Sequence, residues 1–176
     1  MPLPEKVADL TYNGKDAYAF TRGNNLYYSD ERGNEYAVTR DEDPNIVNGQ
    51  SVSRNEMGIH NGIFWSPDGK KLAFYRKDES QVSTFPLLDI TTRTGSLREI
   101  KYPMTGMPSE QISVGVYDLA SQRTVFLDVT DFGREQYLTN VTWDPASEMI
   151  YLQVVDRAQK QVHLNKYNAR NGKFVK

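Results

Sequence analysis

The feature that most constrains this chain is an internal repeat. Trp65-Ser-Pro-Asp-Gly precedes the run Leu72-Ala-Phe-Tyr, and 78 residues later Trp143-Asp-Pro-Ala-Ser precedes Ile150-Tyr-Leu-Gln-Val-Val. In each copy an apolar strand ends in Trp, a Pro-containing turn follows, and the next apolar side chains fall at matching offsets: Leu72 and Phe74 in one, Ile150 and Leu152 in the other. A weaker copy stands at the front, where Leu10-Thr-Tyr-Asn-Gly is followed by Ala17-Tyr-Ala-Phe. The second half of each unit repeats too. Leu26-Tyr-Tyr-Ser-Asp leads through a Gly turn to Glu35-Tyr-Ala-Val, Val114-Gly-Val-Tyr-Asp leads to Thr124-Val-Phe-Leu, and Val162-His-Leu-Asn-Lys-Tyr-Asn leads to Phe174-Val. Short alternating runs of Val, Tyr and Phe separated by Asn, Asp and Gly turns read as strands that present one set of side chains to each face of a sheet.

Each unit therefore predicts a four-stranded antiparallel meander. The units fall at about residues 6–40, 60–129 and 139–176. Meanders that recur and bury their faces against their neighbours predict an all-β fold, a partial β-propeller of about three four-stranded antiparallel blades. An irregular β-sandwich would leave the repeat to chance. Trp65 and Trp143 are expected to pack one blade on the next. Two stretches lie outside the repeat: a linker at 41–59, and an insertion at 77–111 between the second and third strands of the second unit. An insertion that long inside a compact unit is often functional.

Composition excludes several classes. The formal net charge is −2 with no long single-sign run, so no basic footprint for nucleic acid is present. There is no cysteine, which removes disulfides, thiolate metal sites and a cysteine nucleophile. The opening Met1-Pro-Leu-Pro-Glu-Lys has no apolar core of a signal peptide, and no stretch approaches the roughly 20 apolar residues that span a bilayer. His60 and His163, the only histidines, have no metal-ligand partner at a suitable spacing, so neither a metal nor a cofactor is expected. Asp41-Glu-Asp and Asp78-Glu79 read as solvated turns, and His163 as a sheet-face residue.

Four segments in order resemble a known family. Phe64-Trp-Ser-Pro-Asp-Gly-Lys-Lys-Leu-Ala-Phe-Tyr is similar to the blade opening of dipeptidyl peptidase IV enzymes; Tyr102-Pro-Met-Thr-Gly with Val114-Gly-Val-Tyr-Asp, and Leu138-Thr-Asn-Val-Thr-Trp, resemble the segments that follow. Arg54-Asn-Glu-Met-Gly-Ile resembles the substrate-anchoring segment in the version found in Bacteroides-type bacteria. The resemblance implies an eight-bladed propeller that gates a serine exopeptidase of the prolyl oligopeptidase superfamily. The partner domain would be an α/β-hydrolase carrying the catalytic serine, aspartate and histidine. The substrate would be a peptide with penultimate proline or alanine. The setting would be the periplasm or cell envelope of a bacterium.

The same resemblance makes Glu56 the expected ligand of the substrate's terminal ammonium, through a charge-assisted hydrogen bond. Arg54 would orient Glu56 or hold a substrate carbonyl, and Asn55 is a weaker candidate beside them. The family commonly has adjacent glutamates here, whereas this chain has Glu56 alone. No Gly-x-Ser-x-Gly nucleophile elbow occurs in the sequence, so the chain by itself is expected to be inactive. A free-standing propeller-like module that binds protein or peptide is the alternative reading of the repeat. Blades open at each end would favour self-association, through Leu26, Tyr28 and Val38 at the front and Ile150, Leu152, Val154 and Leu164 at the back.

Overall fold

A computed structural model describes residues 3–176. The chain is all-β, a partial propeller. The first unit is a meander of β1 (Ala8–Tyr12), β2 (Tyr18–Arg22), β3 (Asn25–Ser29) and β4 (Glu35–Ala37), hydrogen-bonded in that order. The second is built on β7 (Lys71–Asp78), with β10 (Gln111–Asp118) and then β11 (Arg123–Phe126) on one side. Along the other side of β7 lie two short strands end to end. β6 (Ile63–Trp65) pairs with Leu72–Phe74, and β5 (Ile46–Asn48) pairs with Arg76–Asp78. The segment read as a linker therefore contributes a strand to the second sheet. The third unit is β12 (Gln136–Trp143), β13 (Met149–Asp156) and β14 (Val162–Asn168), and an isolated bridge from Tyr167 to Phe174 stands where the meander predicts a fourth strand. Between β7 and β10 the insertion folds into a separate hairpin, β8 (Thr84–Asp89) with β9 (Ser96–Lys101). Among the described residues it pairs with no other sheet, and it leaves Leu88, Ile90 and Leu97 exposed.

The turn after each aromatic strand end explains the repeat. The residue following the aromatic supplies a side-chain oxygen that binds backbone N–H groups across the turn. Asn13 Oδ1 accepts from Lys15, Asp16 and Ala17; Ser66 Oγ accepts from Lys71; Asp144 Oδ1 accepts from Glu148 and Met149. This is the competition of short polar side chains with the ladder that makes them turn formers. Four residues after each Trp, Gly69 and Ser147 both adopt positive φ, at 70° and 61°.

Each Trp also ties its blade to the one before. Trp65 Nε1 donates to the Thr11 carbonyl at 3.1 Å, and Trp143 Nε1 donates to the Phe64 carbonyl at 3.0 Å. Thr11 and Phe64 occupy the same place, one residue before the aromatic, in successive units. Lysines reach the other way, from Lys15 to the Asp68 carbonyl and from Lys71 to that of Ser147.

Strand alternation separates two cores. Leu72 and Phe74 of β7 with Tyr117 of β10 face the first unit and pack with Ala19, Leu26, Tyr28 and Ile63. Ala73 and Tyr75, with Val114 and Val116, face the third unit and pack with Leu138, Ile150, Leu152, Val154 and Tyr167. The middle blade is thus buried on both faces, the basis of cohesion in stacked repeats. Tyr75 is 1% exposed and its hydroxyl donates to the Leu138 carbonyl at 2.8 Å; burial pushes the phenol pKa up, so it remains a neutral donor.

This arrangement corrects the expected open faces. Leu26, Ile150, Leu152 and Val154 are fully buried and Tyr28 nearly so, because they point toward the middle blade. Val38 is half-buried against the first of these cores. Of the residues expected at the open ends, Leu164 alone is strongly exposed, beside Val162, while Leu10 and Tyr12 are exposed at the front.

Candidate functional site

The candidate site grows from the gap between β5 and β6. Both strands run along one edge of β7, so residues 49–62 must leave that edge and return to it. They are pinched together at Tyr75. Gly49 N–H donates to the Tyr75 carbonyl at 2.9 Å, and Tyr75 N–H donates to the Gly62 carbonyl at 3.0 Å. Glycine stands on both sides of the neck, for conformation at Gly49 and for close approach at Gly62. Gly49 has φ of 74°, and a Cβ on Gly62 would fall inside the Gln50 carbonyl group.

The tip of this excursion is Ser53–Gly58, two single turns, closed by Asn55 N–H to the Val52 carbonyl and Ile59 N–H to the Glu56 carbonyl, with a largely left-handed backbone. Ser53, Arg54 and Asn55 have φ of 51°, 54° and 61°, and Met57 has 54°. Glu56 between them is extended, at φ −73° and ψ 169°. The left-handed conformation costs an ordinary side chain roughly 1–2 kcal/mol per residue, so such a run persists only where its surroundings hold it. Here Val52 and Ile59 are buried on either flank, the Ser53 N–H donates to Glu110 Oε1 at 2.6 Å, and Thr139 Oγ1 donates to the Met57 carbonyl at 3.3 Å.

The segment lines one side of a cavity of about 210 Å³ through Ser53, Arg54 and Glu56. Tyr102, Pro103, Ser109 and Glu110 of the insertion form a second wall; Glu135, Gln136 and Tyr137 of the third unit, with Arg157 after β13, form a third. Four of its five charged groups are engaged, Glu110 through the Ser53 N–H. The Arg54 guanidinium lies 4.2 Å from the centre of the Tyr102 ring, a cation–π contact. Arg157 donates to the Tyr137 hydroxyl at 2.9 Å and to Ser109 Oγ at 3.2 Å. Glu135 accepts from the Ser109 N–H at 3.2 Å, with Arg157 Nε 3.9 Å from its other oxygen. Glu56 is exposed at the cavity and makes no ion pair among the described residues. Three carboxylates against two arginines leave the lining net negative.

Of the three residues singled out in the sequence, Arg54 and Glu56 line the cavity and Asn55 does not. Arg54 makes no ion pair with Glu56; it stacks on the insertion instead. Glu110, Glu135, Tyr137 and Arg157 carry no motif and lie 54 to 101 positions from Glu56 along the chain, so no local pattern marks them. The acidic clusters have structural roles. Asp41 accepts from Asn48 and pairs with Arg76, and Glu79 pairs with Lys77. His163 Nδ1 lies 2.7 Å from Asp131 Oδ1, and His60 borders a different hollow.

Residues 3–176 match the family described as dipeptidyl peptidase IV (DPP IV) N-terminal region. A probable dipeptidyl-aminopeptidase B of Pyrenophora tritici-repentis is 28% identical, over 92% of this chain and 21% of the relative. The crystal structure of a putative dipeptidyl aminopeptidase IV from Bacteroides ovatus superposes with a TM-score of 0.86 at 42% identity, covering 98% of this chain and 24% of the other. Porphyromonas gingivalis dipeptidyl peptidase 4 shares the fold, with a TM-score of 0.85 at 23% identity over 97% of this chain. The chain spans about a fifth of the length of the curated relatives it matches. With the match running from the first described residue to the last, the chain belongs to the dipeptidyl peptidase IV N-terminal-region family.

Proposed function

We propose that this chain is the part of a dipeptidyl peptidase IV-like serine exopeptidase that receives the substrate's amino terminus and narrows access to the catalytic centre. The observation that carries this reading is the Glu56 carboxylate, unpaired, at the edge of a net-negative cavity on a strained and tightly held segment. A terminal ammonium offers three N–H donors and a positive charge. A carboxylate at the mouth of the cavity accepts those donors in charge-assisted hydrogen bonds, roughly twice as strong as neutral ones. Tyr102 and Tyr137 give the cavity apolar walls beside that charge. The chemistry of bond cleavage belongs to a hydrolase domain that this sequence does not contain. The substrate is a peptide with penultimate proline or alanine. The exposed Leu10 and Tyr12 at one end, and Val162 and Leu164 at the other, face neighbouring blades of the ring or, in the isolated chain, another copy.

Glu56→Gln in the full-length protein tests the reading, because it keeps the shape and removes the charge. A hydrogen bond to a charged group contributes about 1.5–3 kcal/mol, so kcat/KM on an Ala-Pro chromogenic substrate should fall at least roughly tenfold. An unchanged kcat/KM would reject Glu56 as the ligand of the amine.

A further inference from the structure

We propose that Glu110 is the positioning residue for Glu56. The inference rests on the reading of Glu56 as the amine ligand, and it names what holds that ligand in place.

Three observations meet at Glu110. First, its carboxylate accepts the Ser53 N–H at 2.6 Å, a short charge-assisted bond to a residue only 7% exposed. Second, Ser53 begins the left-handed run that continues through Arg54 and Asn55 and delivers Glu56 to the cavity. Among the described residues this is the side-chain hydrogen bond to the backbone at the start of the run, as Thr139 to the Met57 carbonyl is at its end. A backbone that ordinary side chains disfavour relaxes when an end is released, and the side chain it presents moves with it. Third, Glu110 is firmly placed. It immediately precedes β10, whose residues Gln111–Asp118 pair without interruption with Asp78–Lys71 of the central strand. The insertion thus closes onto the anchoring segment 57 residues back along the chain, and Tyr102 takes the Arg54 guanidinium on the same wall.

The experiment compares Glu110→Ala, Glu110→Gln and Glu56→Gln in the full-length protein. Two readouts are taken: steady-state kinetics with an Ala-Pro chromogenic substrate, and amide hydrogen exchange of residues 53–57. Glu110→Ala should raise KM roughly tenfold with kcat within about twofold, and should speed exchange across 53–57. Glu110→Gln keeps an oxygen acceptor for the Ser53 N–H and should recover most of both effects. If Glu110→Ala leaves exchange and KM unchanged while Glu56→Gln lowers kcat/KM, the inference is wrong and the reading of Glu56 stands. A raised KM without faster exchange would also overturn it, because Glu110 would then meet the substrate directly. If Glu56→Gln has no effect, the reading of Glu56 and this inference fall together.

Discussion

Gly115→Ala is a sharp test of the packing that builds the middle blade. Gly115 sits on β10 directly across from Phe74 of β7 and Phe126 of β11. The Phe74 ring lies over the glycine, with the Phe126 ring at 70° to it and 6.4 Å between centres. An aromatic ring covering a cross-strand glycine restores the contact that the missing side chain would have made. A methyl group at Gly115 would stand 2.6 Å from Phe74 Cζ and 2.8 Å from Cε1. Carbon atoms pack at about 3.5–4.0 Å, so the ring must retreat by roughly 1 Å. Phe74 is fully buried on the face of the sheet toward the first unit, in a core shared with Leu26 and Tyr117, and has nowhere to go. Phe126 is half exposed, and its 3.2 Å approach can be relieved by a small swing. Overpacking of a filled core costs about 1–3 kcal/mol, and the depth of this overlap places it in the upper part of that range. Replacing glycine returns about 0.4–1 kcal/mol through the unfolded chain. The net loss is then about 1–2.5 kcal/mol, a fall in Tm of about 2–10 °C for a chain of this size. Thermal unfolding followed by calorimetry and by fluorescence of Trp65 and Trp143, which sit at the two blade junctions, would measure it. Gly115→Ala should also couple favourably to Phe74→Leu in a double-mutant cycle, because the smaller side chain removes the clash. An unchanged or raised Tm would refute the reasoning.

Two further outcomes follow from the blade junctions and from the loop before β12. Trp143→Phe removes the indole donor to the Phe64 carbonyl and should cost about 1–3 kcal/mol in urea unfolding, since a partly buried acceptor loses its partner; an unchanged midpoint would show that the bond does not join the blades. Burial pushes the Asp131 carboxyl up, but hydrogen bonds from Asn165 and His163 outweigh it and hold the pKa below its ordinary 3.8. A carboxyl with a depressed folded pKa contributes stability above its unfolded pKa, and that contribution is lost as pH falls through the folded value. Asp131→Asn should therefore lower the urea midpoint at about pH 7, with a gap to the parent chain that narrows by about pH 3; a gap that stays constant would exclude the linkage.

Much of the fold was legible because its causes are local. Asn13, Ser66 and Asp144, each one residue after an aromatic strand end, make turns through their own side-chain oxygens, and period-two alternation assigns side chains to sheet faces without knowledge of the neighbours. These are the reasons why Trp65 and Trp143, with Leu72 and Phe74 matching Ile150 and Leu152, mark an all-β repeat in the sequence itself. Alternation does not say which face meets which neighbour. Alternation alone therefore places Leu26, Ile150 and Leu152 equally well at the open ends, whereas they belong to the junctions with the middle blade. The site divides in the same way. Arg54 and Glu56 stand in one short segment that a motif can mark, and the cavity includes both. Glu110, Glu135, Tyr137 and Arg157 join them only because β10 is in register with β7 and the third blade docks on the second. The left-handed turn at Ser53–Asn55, which local preference opposes at Ser53 and Arg54, is held because a carboxylate 57 residues away accepts its first N–H and buried Val52 and Ile59 hold its flanks. Repeats and turns are short-range chemistry and are written in the sequence, whereas convergence of charges on a strained loop is a product of long-range packing and was decided only by the tertiary structure.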